Sequence, residues 1–239
     1  MTNWEKLIAE YNNMCYFSTD PVAVVRRCSD KRDIEVMGII CSWLALGNRN
    51  QIFKKCCMAY DLMSGKPYAY VMSEQWRRYK DSNINFYRMF FYRDFYDLMQ
   101  CLYNVYQQYE TLEDAIIMKN KELGIRNEYL TALISLLHAN GIPQNTKSAC
   151  KRLCLFLRWM IRRDGIIDLG VWNKFSPADL LIPLDVHVNR VAREHGLLTR
   201  TSADMRAVQE LTQNCKELYP HDPAIMDFAL FGAGYNSKE

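Results

Sequence analysis

Glycine and proline are scarce in this chain, ten and seven in 239 residues. With Leu, Met, Ala, Lys, Arg and Glu plentiful, that composition favours a mostly helical protein over a turn-dense one. Charge of one sign is also in short supply. A net charge of +3 does not by itself announce nucleic-acid binding, which would require the basic residues to gather on one face. No apolar stretch approaches the length of a membrane span, which excludes a transmembrane anchor. Nine cysteines are present, an odd number, and no pair of them has zinc-finger or zinc-ribbon spacing. Cys41, Cys150 and Cys154 fall in apolar periodic segments and read as small buried residues. The start, Met1-Thr2-Asn3-Trp4-Glu5-Lys6, lacks the basic region and apolar core of a signal peptide. A reduced, cytoplasmic protein with no metal, no cofactor and no membrane partner is expected. Internal repeats, charge blocks and low-complexity linkers are missing as well, which disfavours coiled coils and solenoids.

What is present is a succession of short helical patterns. Trp4, Leu7, Ile8 and Tyr11 recur at helical spacing, and Asp20-Pro21 opens a second short helix as cap and first turn. Glu35 to Leu46 is almost wholly apolar and predicts a buried central helix, broken at Gly47-Asn48-Arg49-Asn50-Gln51. Further helices are predicted from Ile52 to Met63, Tyr96 to Tyr109, from Thr111 onward, and from Tyr129 to Ala139. Residues 68–110 are dense in aromatic side chains, interleaved with Arg77, Arg78, Lys80, Arg88 and Arg93. Such a mixture makes either a helical core with snorkelling arginines or a nucleic-acid surface of stacking rings and phosphate contacts.

Two charged residues stand at helix starts. Pro183 ends the segment before it, and Asp185 occupies the N-cap position of an apolar run, Val186, Val188, Val191 and Ala192, closed by Gly196. Lys151 opens another helix, in which Leu153, Phe156, Leu157 and Met160 form a buried stripe. A lysine is electrostatically misplaced at the positive end of a helix dipole beside Lys147 and Arg152, a setting that favours the free amine needed for a Schiff base. Taken singly, the first is also a well-capped surface helix and the second a surface lysine.

Together they resemble the helix-hairpin-helix DNA glycosylases of the endonuclease III superfamily. The segment Leu184-Asp185-Val186-His187-Val188-Asn189-Arg190-Val191 is similar to that superfamily's Val-Asp-Thr-His motif, and Lys151 to the lysine after its hairpin. Asp227-Phe228-Ala229-Leu230-Phe231-Gly232-Ala233-Gly234 resembles the closing helix, and Ile39-Cys41-Ser42-Leu44-Ala45 with Asn48 and Gln51 the first barrel helix and its polar turn. The whole chain looks closest to a bacterial family of unknown function related to these enzymes. In its Lys-Arg-Leu-Cys-Leu-Phe-Leu-Arg helix it also looks like the archaeal 8-oxoguanine glycosylases.

The resemblance implies an all-α fold of two helical subdomains with a cleft between them, roughly residues 34–165 and roughly 1–33 plus 166–239, in a single 239-residue unit. It implies a bifunctional DNA glycosylase and abasic-site lyase of base-excision repair, acting on double-stranded DNA that contains a damaged base, an oxidised purine such as 8-oxoguanine first. Lys151 and Asp185 would be catalytic, and Lys147, Ser148, Arg152, His187 and Arg190 would bind DNA. Trp43, Asn48, Gln51, Trp159 and Phe228 would line the base pocket. A monomer is expected, nucleoid-associated when bound to DNA. The chain departs from the pattern in three ways. Lys147-Ser148-Ala149-Cys150 stands where the hairpin usually has two glycines. The interval from Lys151 to Asp185 is 34 residues and carries an extra Asp164–Trp172 loop. Only Cys215 lies beyond Asp185, so no iron–sulfur cluster is expected. Lys147 as the nucleophile, a non-catalytic DNA-binding protein of this fold, and a helical protein-interaction domain remain the alternatives.

Overall fold

The structure, a computed structural model, describes residues 3–125 and 128–236. The helices in chain order are α1 (Asn3–Tyr11), α2 (Pro21–Val25), α3 (Lys31–Leu44), α4 (Arg49–Leu62), α5 (Pro67–Met72), α6 (Tyr92–Gln108), α7 (Leu112–Glu122), α8 (Tyr129–Leu136), α9 (Lys151–Ile161), α10 (Val186–Glu194), α11 (Met205–Leu218) and α12 (Met226–Asn236). One two-stranded hairpin, β1 (Asn85–Tyr87) with β2 (Phe90–Phe91), interrupts them. The fold is mostly helical, as the composition predicts. Among the described residues no helix is long and apolar enough to cross a membrane.

The chain divides into two units, Thr19–Asn145 and the pairing of Met1–Ser18 with Thr146–Glu239. The sequence placed these boundaries near residues 33 and 165. The first shift arises because α2 packs on α3 and α4 and so belongs with them. The second arises because α9 is tied to the chain immediately after it. The Trp159 carbonyl accepts from the Leu169 and Gly170 amides at 2.9 and 3.1 Å, and the Met160 carbonyl from Trp172 at 2.9 Å.

In the unit of residues 19–145, α3 is the central helix, with Val36, Met37, Ile39, Ile40 and Cys41 fully buried. It begins four residues before the apolar run, because the Asp30 carboxylate accepts the Arg32 and Asp33 amides at 2.9 and 3.4 Å. One carboxylate is wholly buried with it. Glu35 accepts the Tyr106 hydroxyl and the Leu112 amide, each at 2.9 Å, so its charge meets the positive end of α7. The aromatic stretch separates by side-chain type. Trp76, Phe86, Phe90 and Phe95 are core, with Phe86 stacked on Phe95 and Phe90 on Trp43. The arginines lie outside, Arg78 over the Tyr79 ring and Arg93 over Phe91.

In the other unit α12 packs against both α1 and α10. Small residues on α12 permit the approach: a Cβ at Gly232 would run into the Tyr11 ring, and one at Gly234 would press on Val191 at 3.1 Å. This unit carries both Lys151 and Asp185.

Candidate active site

The backbone entering α9 is held by a bridge between Ser148 and Asp204 and by the Met205 amide on the Lys147 carbonyl at 3.4 Å. Cys150, at the N-cap position, takes a left-handed conformation, φ +47° and ψ +30°. That is a geometry glycine adopts freely and other residues at a cost of about 1 kcal/mol. The glycines expected of a hairpin are missing, yet a glycine-like backbone turn remains immediately before Lys151. The Cys150 side chain makes no capping bond to the amides that open α9. The buried stripe of the helix, Leu153, Phe156, Leu157 and Met160, fixes its rotation and leaves Lys151 half-buried in the first turn.

Asp185 reaches the same place from the other side. Ile182 donates its amide to the Thr212 hydroxyl at 3.1 Å, and buried Leu184 sets the chain in position for α10. Asp185 Oδ1 then accepts the Val188 amide at 2.8 Å, the N-cap bond the sequence predicts. Its second oxygen, Oδ2, lies 3.0 Å from Lys151 Nζ. Two residues 34 positions apart, each at a helix start, thus form one ion pair. The pair is reachable from solvent, with side chains 38% and 28% exposed for Lys151 and Asp185. Burial pushes the Asp185 carboxyl up, but the charge of Lys151, the Val188 amide and His187 outweigh it and leave the group below the ordinary carboxylate value. The neighbouring thiols are of the opposite kind. Burial raises both Cys150 and Cys154, so neither is a thiolate nucleophile at neutral pH.

Beneath the pair runs a buried ionic network that the sequence pattern did not reveal. Arg158 Nε meets Asp168 at 3.2 Å and Nη1 pairs with Asp227; Arg162 meets Asp168 at 3.0 Å and Asp222 at 2.7 Å, and pairs with Asp164. Both guanidinium groups lie over the Phe228 ring, at 4.5 and 5.1 Å. The extra Asp164–Trp172 loop delivers Asp168 to this network: Asp164 Oδ1 accepts the Ile166, Ile167 and Asp168 amides, and Trp172 packs edge-on against Phe156. Burial raises Asp227 to about 6, opposed by Arg158 and Lys151 and reinforced by Asp185 and Asp168. Asp227 therefore lies within electrostatic reach of the Lys151–Asp185 pair. A signal was present in the sequence. Arg158, in the apolar stretch Leu153–Ile161 of α9, and Arg162, just past its end, stand four residues apart, and buried guanidinium groups require carboxylate partners.

The other residues singled out from sequence fall into three groups. Lys147, Ser148, His187 and Arg190 are exposed and Arg152 half-buried; they lie near the starts of α9 and α10 or along α10, and Arg190 pairs with Glu194 at 2.6 Å. Trp159 and Phe228 are core side chains, 0% and 1% exposed. In the unit of residues 19–145, Trp43 is also core, donating to the Asn140 carbonyl at 2.8 Å with Phe90 stacked on one face. Asn48 and Gln51 are exposed there, and Asn48 caps α4 through the Asn50 and Gln51 amides. Three of the five residues assigned to a base pocket thus serve as packing. Among the described residues no cluster of His, Cys, Asp and Glu is arranged to hold a metal ion.

No curated protein and no solved structure matches the sequence. A family model does match, over residues 20–236, and so spans both Lys151 and Asp185. The chain belongs to that family, described as protein of unknown function (DUF2400).

Proposed function

We propose that this protein is a DNA glycosylase with abasic-site lyase activity, in which Lys151 is the nucleophile and Asp185 its charged partner. The observation that carries the reading is the 3.0 Å approach of Lys151 Nζ to Asp185 Oδ2 at the meeting of two helix starts. An amine and an ionised carboxylate so placed supply what Schiff-base chemistry at a sugar requires. In this mechanism a damaged base is flipped out of the duplex. Lys151 gives up a proton to solvent, and its free amine forms a bond to the anomeric carbon as the glycosidic C–N bond breaks, the electron pair leaving with the base, which takes a proton from solvent. Asp185, held below the ordinary carboxylate value, stays negative where positive charge develops on the sugar. Ring opening leaves a protonated imine on Lys151, and β-elimination then breaks the 3′ C–O bond. The amides at the start of α9 and the exposed Lys147 and Ser148 beside it provide donors for a phosphate flanking the flipped nucleotide. An oxidised purine, 8-oxoguanine in particular, is the proposed base.

The test is reductive trapping. The protein is incubated with an abasic or 8-oxoguanine duplex and borohydride, and the covalent adduct is measured. Wild type is expected to form the adduct, and Lys151→Ala to lose it while keeping the wild-type circular dichroism. No adduct from wild type, or one undiminished in Lys151→Ala, removes Lys151 from the chemistry. An adduct that disappears instead in Lys147→Ala transfers the role to Lys147.

A further inference from the structure

We propose that the outer face of α4 is a dimerisation surface, on which a second copy of this chain packs α4 against α4, antiparallel, about a two-fold axis. The face lies in the unit of residues 19–145 and involves neither Lys151 nor Asp185, so it is independent of the DNA reading above. It holds a shallow groove of about 520 Å³ lined by Phe53, Lys54, Cys57, Met58, Asp61 and Leu62. All six residues belong to one helix, so the helix alone brings them together.

The rotation of α4 follows from its sequence. Ile52, Cys56, Ala59 and Met63 recur at helical spacing and are buried on the side that packs on α2 and α3. The groove residues fill the opposite side. A solvated side would be polar throughout, yet Phe53, Cys57, Met58 and Leu62 are half-buried apolar or thiol side chains. A helix apolar on both sides is one that packs on both sides. Basic side chains border the groove. The Arg27 guanidinium lies 3.3 Å from Cys57 Sγ and over the Phe53 ring at 5.9 Å, and Lys55 Nζ lies 3.5 Å from Met58 Sδ.

Charge identifies the partner as a copy of the same face. Lys54 and Asp61 stand two turns apart near the centre line of the groove, about 10 Å along the helix axis, too far to pair with each other. Both are exposed, and neither makes an ion pair or side-chain hydrogen bond among the described residues. From either end the face has the same order: an apolar and a charged residue, two sulfur side chains, a charged and an apolar residue, with opposite charge at the two ends. An antiparallel two-fold contact centred between Cys57 and Met58 therefore sets Lys54 opposite Asp61 of the second copy, and Asp61 opposite its Lys54. Cys57 then lies near Cys57 of that copy. A parallel contact would set like charges against each other. With 14 residues α4 is about 21 Å long, so one face buries less than the ~800 Å² per partner of a standard interface. The dimer is accordingly weak and concentration-dependent, which departs from the monomer that the resemblance implies.

The experiment is sedimentation equilibrium of the full chain across the micromolar range, with Lys54→Glu, Asp61→Lys and the variant carrying both. These are exposed positions, and circular dichroism checks that each variant is folded. Wild type is expected to show a reversible monomer–dimer equilibrium. Each single reversal sets like charges opposite each other twice and should raise the dissociation constant roughly tenfold or more. The double reversal re-forms both pairs and should return to within about threefold of wild type. A bismaleimide cross-linker, which adds to two thiols without oxidising either, should join two copies through Cys57, a free half-buried thiol, and Cys57→Ser should lose most of that product. A wild type that stays monomeric throughout overturns the proposal, as does a dimer that the single reversals leave unchanged or the double reversal fails to restore. A cross-link undiminished in Cys57→Ser places the contact on another face and overturns it as well. None of these readouts uses DNA, so failure here leaves trapping at Lys151 untouched, and failure of trapping leaves the dimer untouched.

Discussion

Replacing Asp185 by Asn and by Ala separates the two tasks this residue performs. Oδ1 caps α10 through the Val188 amide, and Oδ2 faces Lys151. Asn is as good an N-cap as Asp, whereas Ala forfeits the bond, at a cost of about 1 kcal/mol and up to about 2. The ion pair adds little to stability. Its members are 38% and 28% exposed, and pairs of that kind contribute less than about 1 kcal/mol. Asp185→Asn should therefore lose less than about 1 kcal/mol and Asp185→Ala about 1–2, a further fall in melting temperature of about 2–4 °C per kcal/mol for a chain of this size. Activity should not track that order. Both variants lack the negative charge, so both should trap abasic duplex on the order of a hundredfold or more below wild type. The acid limb of stability gives an independent reading. A carboxyl held below 3.8 in the folded state adds stability above that pH and loses it as the pH falls through the lowered value. Both variants should lack that component, which urea melts between neutral and strongly acidic pH would measure. The reasoning is refuted if Asp185→Asn traps like wild type, or if it is as unstable as Asp185→Ala.

Arg158→Met should destabilise the protein by about 3–5 kcal/mol in urea melts, because Asp168 and Asp227 keep buried charge without that partner; a cost below about 1 kcal/mol would show that the network is replaceable. Asp227 has a folded value raised to about 6, so the folded state binds a proton that the unfolded state releases between pH 3.8 and 6. Its contribution is greatest below that window and is lost as the pH rises through it. Wild type should accordingly lose on the order of 2 kcal/mol relative to Asp227→Asn between pH 4 and pH 7, and parallel profiles would contradict the shift. Gly141→Ala should cost about 2–4 kcal/mol, since its Cβ meets Phe90 and Trp43 and its φ of +83° disfavours any side chain; an unchanged denaturation midpoint would show that the Phe90–Trp43 packing yields readily.

Helix starts were the most legible features of the sequence. Asp20, Thr111 and Asp185 all accept amides of the helices they precede, since a short polar side chain before an apolar run has a local reason to cap, whereas the helix expected from Ile52 starts three residues earlier, at Arg49, capped by Asn48. The ion pair between Lys151 and Asp185 was legible only through the resemblance, because nothing local links residues 34 apart. The hairpin at residues 85–91 escaped notice because its aromatic residues satisfy helical spacing as well as alternation, and Arg88 gives no sign of a left-handed turn. The unit boundary near residue 146 escaped for a related reason: the groups that tie α9 to the later chain are Asp168, Asp222 and Asp227, gathered on two arginines. Trp43 and Trp159 illustrate the limit of residue type. An aromatic side chain suited to a base is equally suited to a core, and both are core.

The buried network also bears on why Asp185, rather than a neighbour, carries the charge at the site. Arg158 and Arg162 supply two positive charges to Asp164, Asp168, Asp222 and Asp227, four carboxyl groups. Full ionisation would leave a buried excess of negative charge, which burial and like charges oppose. Asp227, raised to about 6 and sensing Asp185, takes up a proton only as the pH falls through that value, which relieves the excess. Asp185 has the opposite balance. It has a helix amide on one oxygen and an ammonium on the other, both favouring the anion. Two carboxyl groups close enough to influence each other are thereby driven apart in proton affinity. In the proposed chemistry that difference leaves Asp185, which faces solvent beside the amine, as the charged carboxylate. The cap bond would thus serve the proposed chemistry: without the Val188 amide, Asp185 would lose one of the contacts that keep it ionised beside Lys151.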